Sequence, residues 1–369
     1  MPDAENRLST PLNQIYFYLT EGCNLQCRHC WISPKYQAAD QSHPVLPFTL
    51  FRHIVDQARP LGLNGVKLTG GEPLLHPELL GILDYLRTEE LGVTIETNGV
   101  LCTPEIAAAI AGSKTPFVSV SLDGADAETH EWVRGVPGSF EEALTGIRNL
   151  AKAGLKPQII MSLMKRNSGQ IEAVVRLAES LGASSVKFNI LQPTERGEIM
   201  HDAGESLSVH ELAELGEWVE NTLATQTKLR LAYSHPMAFK PLSAMFGGNG
   251  GGGGRCRILN IIGVLSDGSY AMCGIGEAVP ELVYGHAERD PLEEVWNHSP
   301  ALLELREGLP DKLEGICGDC IMRKICLGSC VAQNYYRSRN LWAPFWYCEE
   351  ASKTGAFPEG RKRGGAIPA

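Results

Sequence analysis

The sequence predicts an α/β fold, a partial (β/α)6 barrel followed by a small cysteine-rich domain with a β-hairpin and helices. Three observations carry this. Six short apolar runs recur between Gln14 and Pro193 and alternate with segments of helical period. Glycine and proline clusters punctuate them. Cysteines crowd into two places, three within residues 23–30 and seven within residues 256–348.

The six runs are "QIYFYLT", "GVKLTGG", "VTIETNG", "FVSVSLDG", "KPQIIMSLM" and "SVKFNILQP". Between them, Phe140, Ala143, Ile147 and Leu150 mark one helix stripe, and Ile171, Val174, Val175, Ala178 and Leu181 another. Ser139 with Glu142 reads as a capping box, and Gly154 and Gly182 as helix stops. Strands each followed by a helix must pair in parallel through crossovers, and repeated right-handed crossovers curl the sheet into an open barrel. Ligands then bind at the carboxyl ends of the strands.

After Pro193 a polar bridge (Thr194 to Ser206) leads to an amphipathic helix from Val209 to about Thr222, and "FGGNGGGGGR" reads as a flexible linker. "ILNIIGVLSDGSYAMCG" predicts a hairpin turning at Asp267-Gly268, and "PLEEVWNHSPALLELREG" a helix. The expected organisation is a tail (1–12), a barrel (13–195), a bridging helix and linker (196–254), a cysteine-rich unit (255–350) and a disordered tail (351–369) holding the basic run Arg361, Lys362 and Arg363. The cysteine-rich unit looks too loop-rich for an apolar core of its own, so bound metal is expected to hold it together.

The chain has 369 residues, 43% hydrophobic and 21% charged, as in ordinary globular proteins. A net charge of -10 gives no general affinity for nucleic acid or anionic membrane. No membrane span or signal peptide is evident, so the expected location is the cytoplasm. Eleven cysteines there favour metal ligation over disulfides. Cys102 fits no motif and reads as a half-buried thiol.

Cys23, Cys27 and Cys30 follow the first strand at its carboxyl end. Three thiolates leave a tetrahedral zinc site unclosed but suit a four-iron cluster with one iron free of protein ligands. A zinc site completed from the C-terminal unit, or three buried cysteines, is the competing reading. The second strand ends in "TGGEPLLHP", where Gly70 and Gly71 permit close backbone approach and Glu72 sets a carboxylate at the barrel mouth. Thr97, Asn98, Ser121 and Asp123 break otherwise apolar strands at the same open face.

On these residues the chain resembles the radical S-adenosylmethionine (SAM) superfamily, with His29 where its cysteine motif has an aromatic. The resemblance implies that Cys23, Cys27 and Cys30 hold a radical-generating [4Fe-4S] cluster whose open iron takes the SAM amino and carboxylate groups. It further implies that Gly70, Gly71 and Glu72 bind the SAM amino group and that His29 and Leu191 pack near the adenine. Asn98 joins the SAM contacts, Ser121 and Asp123 face the ribose, and Arg134 meets the carboxylate. Bland alternatives for these positions are a loop imidazole, turn and cap residues, and a core leucine.

The C-terminal cysteines resemble the SPASM auxiliary-cluster domain. By that resemblance Cys317, Cys320, Cys326 and Cys348 hold one complete [4Fe-4S] cluster. Cys256, Cys273 and Cys330 hold another with an open iron, since "RILNIIGVLSDGSYAM" contains no further cysteine. Zinc knuckles are the competing reading. Three clusters and SAM are therefore the implied cofactors. The implied activity is reductive SAM cleavage to a 5'-deoxyadenosyl radical that takes hydrogen from a ribosomally made peptide or small protein, giving a thioether, C-C or C-O cross-link or an oxidation. A flavodoxin- or ferredoxin-type reductant is the implied electron source.

Two departures narrow this. Relatives that oxidise a sulfatase residue carry an Asp directly after the inner-cluster cysteine, where this chain has Gly274. Only 22 residues precede Cys23, so leader recognition is expected from a separate protein or from the SPASM surface. The opening "LNQIYFYLTEGCNLQCRHCWISPKYQ" most resembles the SynChlorMet-cassette SPASM proteins. Alternative functions are a tetrapyrrole-modifying enzyme of haem biosynthesis, and a non-enzymatic iron-sulfur carrier or zinc-stabilised interaction module.

Overall fold

The computed structural model describes residues 10–241 and 256–363. The expected Gly-rich linker and residues 1–9 and 364–369 lie outside the described residues. The chain runs β1 (Gln14–Tyr18), β2 (Gly22–Cys23), β3 (Lys35–Tyr36), α1 (Phe48–Ala58), β4 (Gly65–Thr69), α2 (Leu79–Thr88), β5 (Gly92–Thr97) and α3 (Pro104–Ala111). Next come β6 (Lys114–Ser121), α4 (Ala127–Arg134), α5 (Ser139–Lys152), β7 (Gln158–Leu163), α6 (Ile171–Ser180) and β8 (Ser185–Ile190). All six predicted strands form, and each pairs in parallel with its neighbour in the order β1-β4-β5-β6-β7-β8.

The sheet is wider than expected. α7 (Arg196–Asp202), α8 (Val209–Asn221) and β9 (Arg230–Tyr233) follow, with β9 parallel on β8. The polar bridge thus contains a helix, and a strand lies where only a linker was expected. Arg230 and Tyr233 flank too short an apolar stretch to show a strand period. On the other side, β10 (Ile261–Val264) pairs in parallel with β1 and carries β11 (Ser269–Ala271) and β12 (Val283–His286) as an antiparallel extension. The predicted hairpin turns at Gly268, whose φ of 93° suits a residue without a Cβ.

This pairing corrects the picture of a core-less cysteine-rich unit. One continuous apolar core runs from Phe17, Val66 and Phe188 in the barrel to Tyr270, Trp296 and Tyr347 beyond it. Residues of the expected disordered tail are packed on the fold: Phe357 is buried, and Arg361 donates to the carbonyls of Ala238 and Lys240 at 3.2 and 3.0 Å. The basic run is therefore partly a structural clasp. The predicted helix over residues 291–308 is two helices, Leu292–His298 and Pro300–Gly308, because Pro300 cannot continue the first and starts the second.

The capping box expected at Ser139 is absent. Gly138, at φ 84°, caps α5, and the Ser139 hydroxyl donates to Val136 O at 2.7 Å. A reciprocal box forms instead on α8, where Ser208 and Glu211 exchange hydrogen bonds. Gly154 and Gly182 follow their helices in left-handed conformation, as stops.

Candidate active site

Parallel pairing brings the carboxyl ends of β1, β4, β5 and β6 to one mouth, where the cysteine loop folds over them. β2 pairs with β3 to anchor this loop, and its backbone threads tightly against the end of β4. A Cβ on Gly71 would stand 2.0 Å from Gly22 O, and Gly70 has a φ of 127°. The two glycines were expected to let the backbone approach a ligand; Gly71 admits the backbone of the cysteine loop, and Gly70 that of Tyr18 to Thr20 at the end of β1.

Cys23, Cys27 and Cys30 all line one cavity of about 190 Å3. His29, Gly70, Gly71 and Glu72 line it too, as do Asn98, Ser121 and Arg134. Among the described residues, no three His, Cys, Asp or Glu side chains converge on a point as a single ion would need; thiolates about one zinc stand about 3.8 Å apart. The three thiols share one wall of this cavity.

Glu72 ties two strand ends together. Its carboxylate accepts from Thr97 Oγ1 at 2.6 Å, from Asn98 N at 2.8 Å and from Leu74 N at 3.1 Å. Burial pushes its pKa up to about 7, and these donors oppose the rise. Asn98 in turn donates to Asn24 Oδ1 at 2.8 Å, fixing the loop between the first two cysteines.

Three expectations, for Asp123, Leu191 and Cys102, are corrected. Asp123 is fully buried behind the cavity rather than lining it. It pairs with Arg134 NH2 at 2.8 Å, accepts from Ser162 N at 2.7 Å and faces His29 Nε2 at 3.7 Å. Burial would raise its pKa, but Arg134 and His29 outweigh it and hold the carboxyl below its usual range. Leu191 packs with Val133, Met164 and Met200 in a satellite core, while its neighbours Ile190 and Gln192 line the cavity. Leu191 follows the last residue of β8 and is buried on the side away from the cavity lining. Arg134, expected to meet a SAM carboxylate, lines the cavity and is also held by Asp123 and by Cys27 Sγ at 3.5 Å. Burial lowers the His29 pKa to about 4, so the ring is neutral at pH 7. Cys102 is buried rather than half-buried.

The sequence reading missed a charged pair in the cavity wall. Lys67 Nζ lies 2.6 Å from Glu96 Oε2 and 4.6 Å from the centre of the Tyr16 ring. A lysine inside "GVKLT" was the available signal, since parallel strands are usually apolar on both faces. Lys67 also lies within electrostatic reach of Cys256 and Cys273, so it stands between the two thiol groups.

Cys256, Cys273 and Cys330 are gathered together. Burial and then the nearby Cys330 raise the Cys273 thiol to about 12. Cys256 is raised by burial and then by Cys330 and Cys273. A Cβ on Gly274 would stand 2.2 Å from the Tyr18 ring, so this chain fills with a phenol the space where a side chain at that position would start. Cys317, Cys320, Cys326 and Cys348 line a separate narrow pocket walled by Pro236, Ala238, Ile316, Met322 and Phe357. Backbone amides of Phe345 and Met322 donate to Cys317 Sγ and Cys320 Sγ at 3.3 and 3.4 Å, the contacts that stabilise cluster-bound thiolates.

A parallel α/β sheet with a three-thiol cavity at its mouth, joined to a second unit with seven cysteines, defines an iron-sulfur enzyme of the radical type. Residues 17–178 match the radical SAM superfamily, and residues 256–321 match the SPASM iron-sulfur cluster-binding domain. The AdoMet-dependent heme synthase of Methanosarcina barkeri is 32% identical over 90% of this chain and 95% of its own length. The mycofactocin maturase MftC of Mycobacterium ulcerans is 29% identical, covering 97% and 93% of the two chains. The Streptococcus suis SuiB structure bound to S-adenosylmethionine shares the fold, with a TM-score of 0.71 at 20% identity over 92% of this chain and 78% of that one. The chain belongs to the radical SAM superfamily and carries a C-terminal SPASM domain. It is a radical SAM enzyme that uses [4Fe-4S] clusters and SAM. No helix among the described residues is long and apolar enough to cross a membrane.

Proposed function

We propose that this enzyme matures a ribosomally made peptide, oxidising or cross-linking an unactivated position. In this reading Cys23, Cys27 and Cys30 hold the radical-generating cluster, Cys256, Cys273 and Cys330 an inner auxiliary cluster, and Cys317, Cys320, Cys326 and Cys348 an outer one. With SAM bound, the first cluster supplies a 5'-deoxyadenosyl radical. The chain's own residues do the rest. Glu72 and the Gly70-Gly71 turn shape the SAM-side wall, and neutral His29 offers an uncharged ring surface. Trp31, Ile32 and Ile160 exclude water from the radical's path. Lys67 and Tyr18 line the route toward the inner auxiliary cysteines.

One observation carries the reading: two neighbouring cavities, of about 190 and 230 Å3, share Tyr18, Ile32, Pro34, Gly70 and Gly71 in their walls, an extended site that suits a flexible chain. The maturases MftC and, over 54% of this chain, AlbA of Bacillus subtilis support a peptide substrate. The 32% identity to a heme synthase favours a second reading, modification of a tetrapyrrole. The test is anaerobic reconstitution with dithionite and SAM, then separate incubation with short peptides encoded beside this reading frame and with an iron-coproporphyrin. A peptide mass change with stoichiometric 5'-deoxyadenosine supports the proposal. A Soret shift without peptide modification replaces it with the second reading.

A further inference from the structure

Among the cations that line the cavity, one has no acidic partner among the described residues. Lys67 is paired with Glu96, Arg134 with Asp123, and Glu72 accepts three hydrogen bonds. Arg196, which also lines the cavity, has no acidic partner among the described residues. Its guanidinium donates to Pro34 O at 3.3 Å, and its buried Nε has no partner at all. A half-buried guanidinium without a counter-charge is costly, and its planar fork matches a carboxylate.

Packing sets where this fork lies. A Cβ on Gly197 would stand 2.1 Å from Gln192 O and 3.3 Å from His29 O, so α7 is pressed onto the end of β8 and onto the cysteine loop. Arg196 meets that loop at Ser33 and Pro34, beyond the last of the three cysteines. Arg134 by contrast touches Cys27 Sγ. Arg196 therefore meets the cysteine loop at other residues than Arg134 does, which leaves its fork for a second anion.

We infer that Arg196 binds a carboxylate of the substrate and so positions it for hydrogen abstraction. This deepens the proposed function and rests on its reading of the cavity. Both an acidic or C-terminal peptide carboxylate and a tetrapyrrole propionate carry the required group. Sequence reading passed over Arg196 because it lies in a polar stretch with no motif.

The test uses the anaerobically reconstituted full-length enzyme with SAM present. Binding of 3-phenylpropionate and of its amide is measured by saturation-transfer NMR for the wild type, Arg196→Gln and Arg196→Lys. The carboxylate should bind the wild type in preference to the amide. Arg196→Gln should weaken it about tenfold or more, with Arg196→Lys between them, as expected for loss of a charge-assisted contact. Iron content and SAM affinity should match the wild type in both variants. Equal carboxylate binding by the wild type and Arg196→Gln, or no preference over the amide, overturns the inference. Weakened SAM binding with unchanged probe binding also overturns it and assigns the guanidinium to SAM. Formation of 5'-deoxyadenosine by the wild type tests the parent reading separately. Peptide and propionate-bearing substrates, assayed in turn for a rise in KM with Arg196→Gln, identify which carboxylate is held.

Discussion

The cavity behind Cys23, Cys27 and Cys30 and the pocket around Cys317, Cys320, Cys326 and Cys348 place thiols in opposite surroundings. The first is polar and charged, with Glu72, Lys67, Glu96, Arg134 and Arg196 in its wall. The second is walled mainly by apolar side chains and has four thiols, enough to satisfy a cluster without outside help. Number of thiols and access to ligands therefore vary together: where one ligand is missing the wall can receive a molecule, and where the set is complete the wall is closed. In the proposed function this difference separates a place for chemistry from a place for holding charge.

The largest effect is expected at the polar mouth. Gly71→Ala drives a methyl into Gly22 O, so the cysteine loop must move. Reconstituted protein should lose about four irons per chain and all SAM cleavage while keeping its C-terminal clusters. Arg134→Met leaves Asp123 buried without its cation. Because their side chains are only 8% and 0% exposed, urea unfolding of the cluster-free chain should show a loss of about 3–5 kcal/mol. A loss under about 1 kcal/mol would mean that the pair is dispensable.

On the closed side, Phe357 packs edge-on to Phe239 at 5.8 Å and seals the four-thiol pocket. Phe357→Ala should cost about 3 kcal/mol and speed oxygen bleaching of the outer cluster, with little change in SAM affinity. The pH dependence is smaller and belongs to the polar mouth. Burial raises Glu72 from its usual 4.5 to about 7, so the folded chain retains a proton that the unfolded chain releases. That contribution is fully present below about pH 4.5 and is lost as pH rises through 7. Between pH 5 and 8 the cluster-free wild type should therefore lose stability relative to Glu72→Gln. Parallel unfolding midpoints would show that Glu72 is ionised throughout.

The barrel was legible because each strand is a short apolar run bounded by turn residues, and its parallel order follows from helices between the runs. The three cysteine groups were legible because their spacing is dense and unlike anything a core requires. Arg230–Tyr233 was not, because four residues with one charge give no period. The joining of β10 to β1 was not, because pairing across more than 240 residues leaves no local trace. In the site, Asp123 and Arg134 were recognised as polar positions of the mouth, but sequence does not show that two such groups neutralise each other. Lys67 and Arg196 fall outside any motif, and their importance emerges only when the charges of the wall are balanced in three dimensions.

The comparison between the two regions is tested most directly by measuring 5'-deoxyadenosine from anaerobically reconstituted Cys27→Ala and Cys320→Ala proteins supplied with dithionite and SAM. Cys27→Ala should make none, whereas Cys320→Ala should retain part of the SAM cleavage and yield no modified product. Full cleavage by Cys27→Ala would contradict the assignment of the N-terminal cavity as the source of the radical.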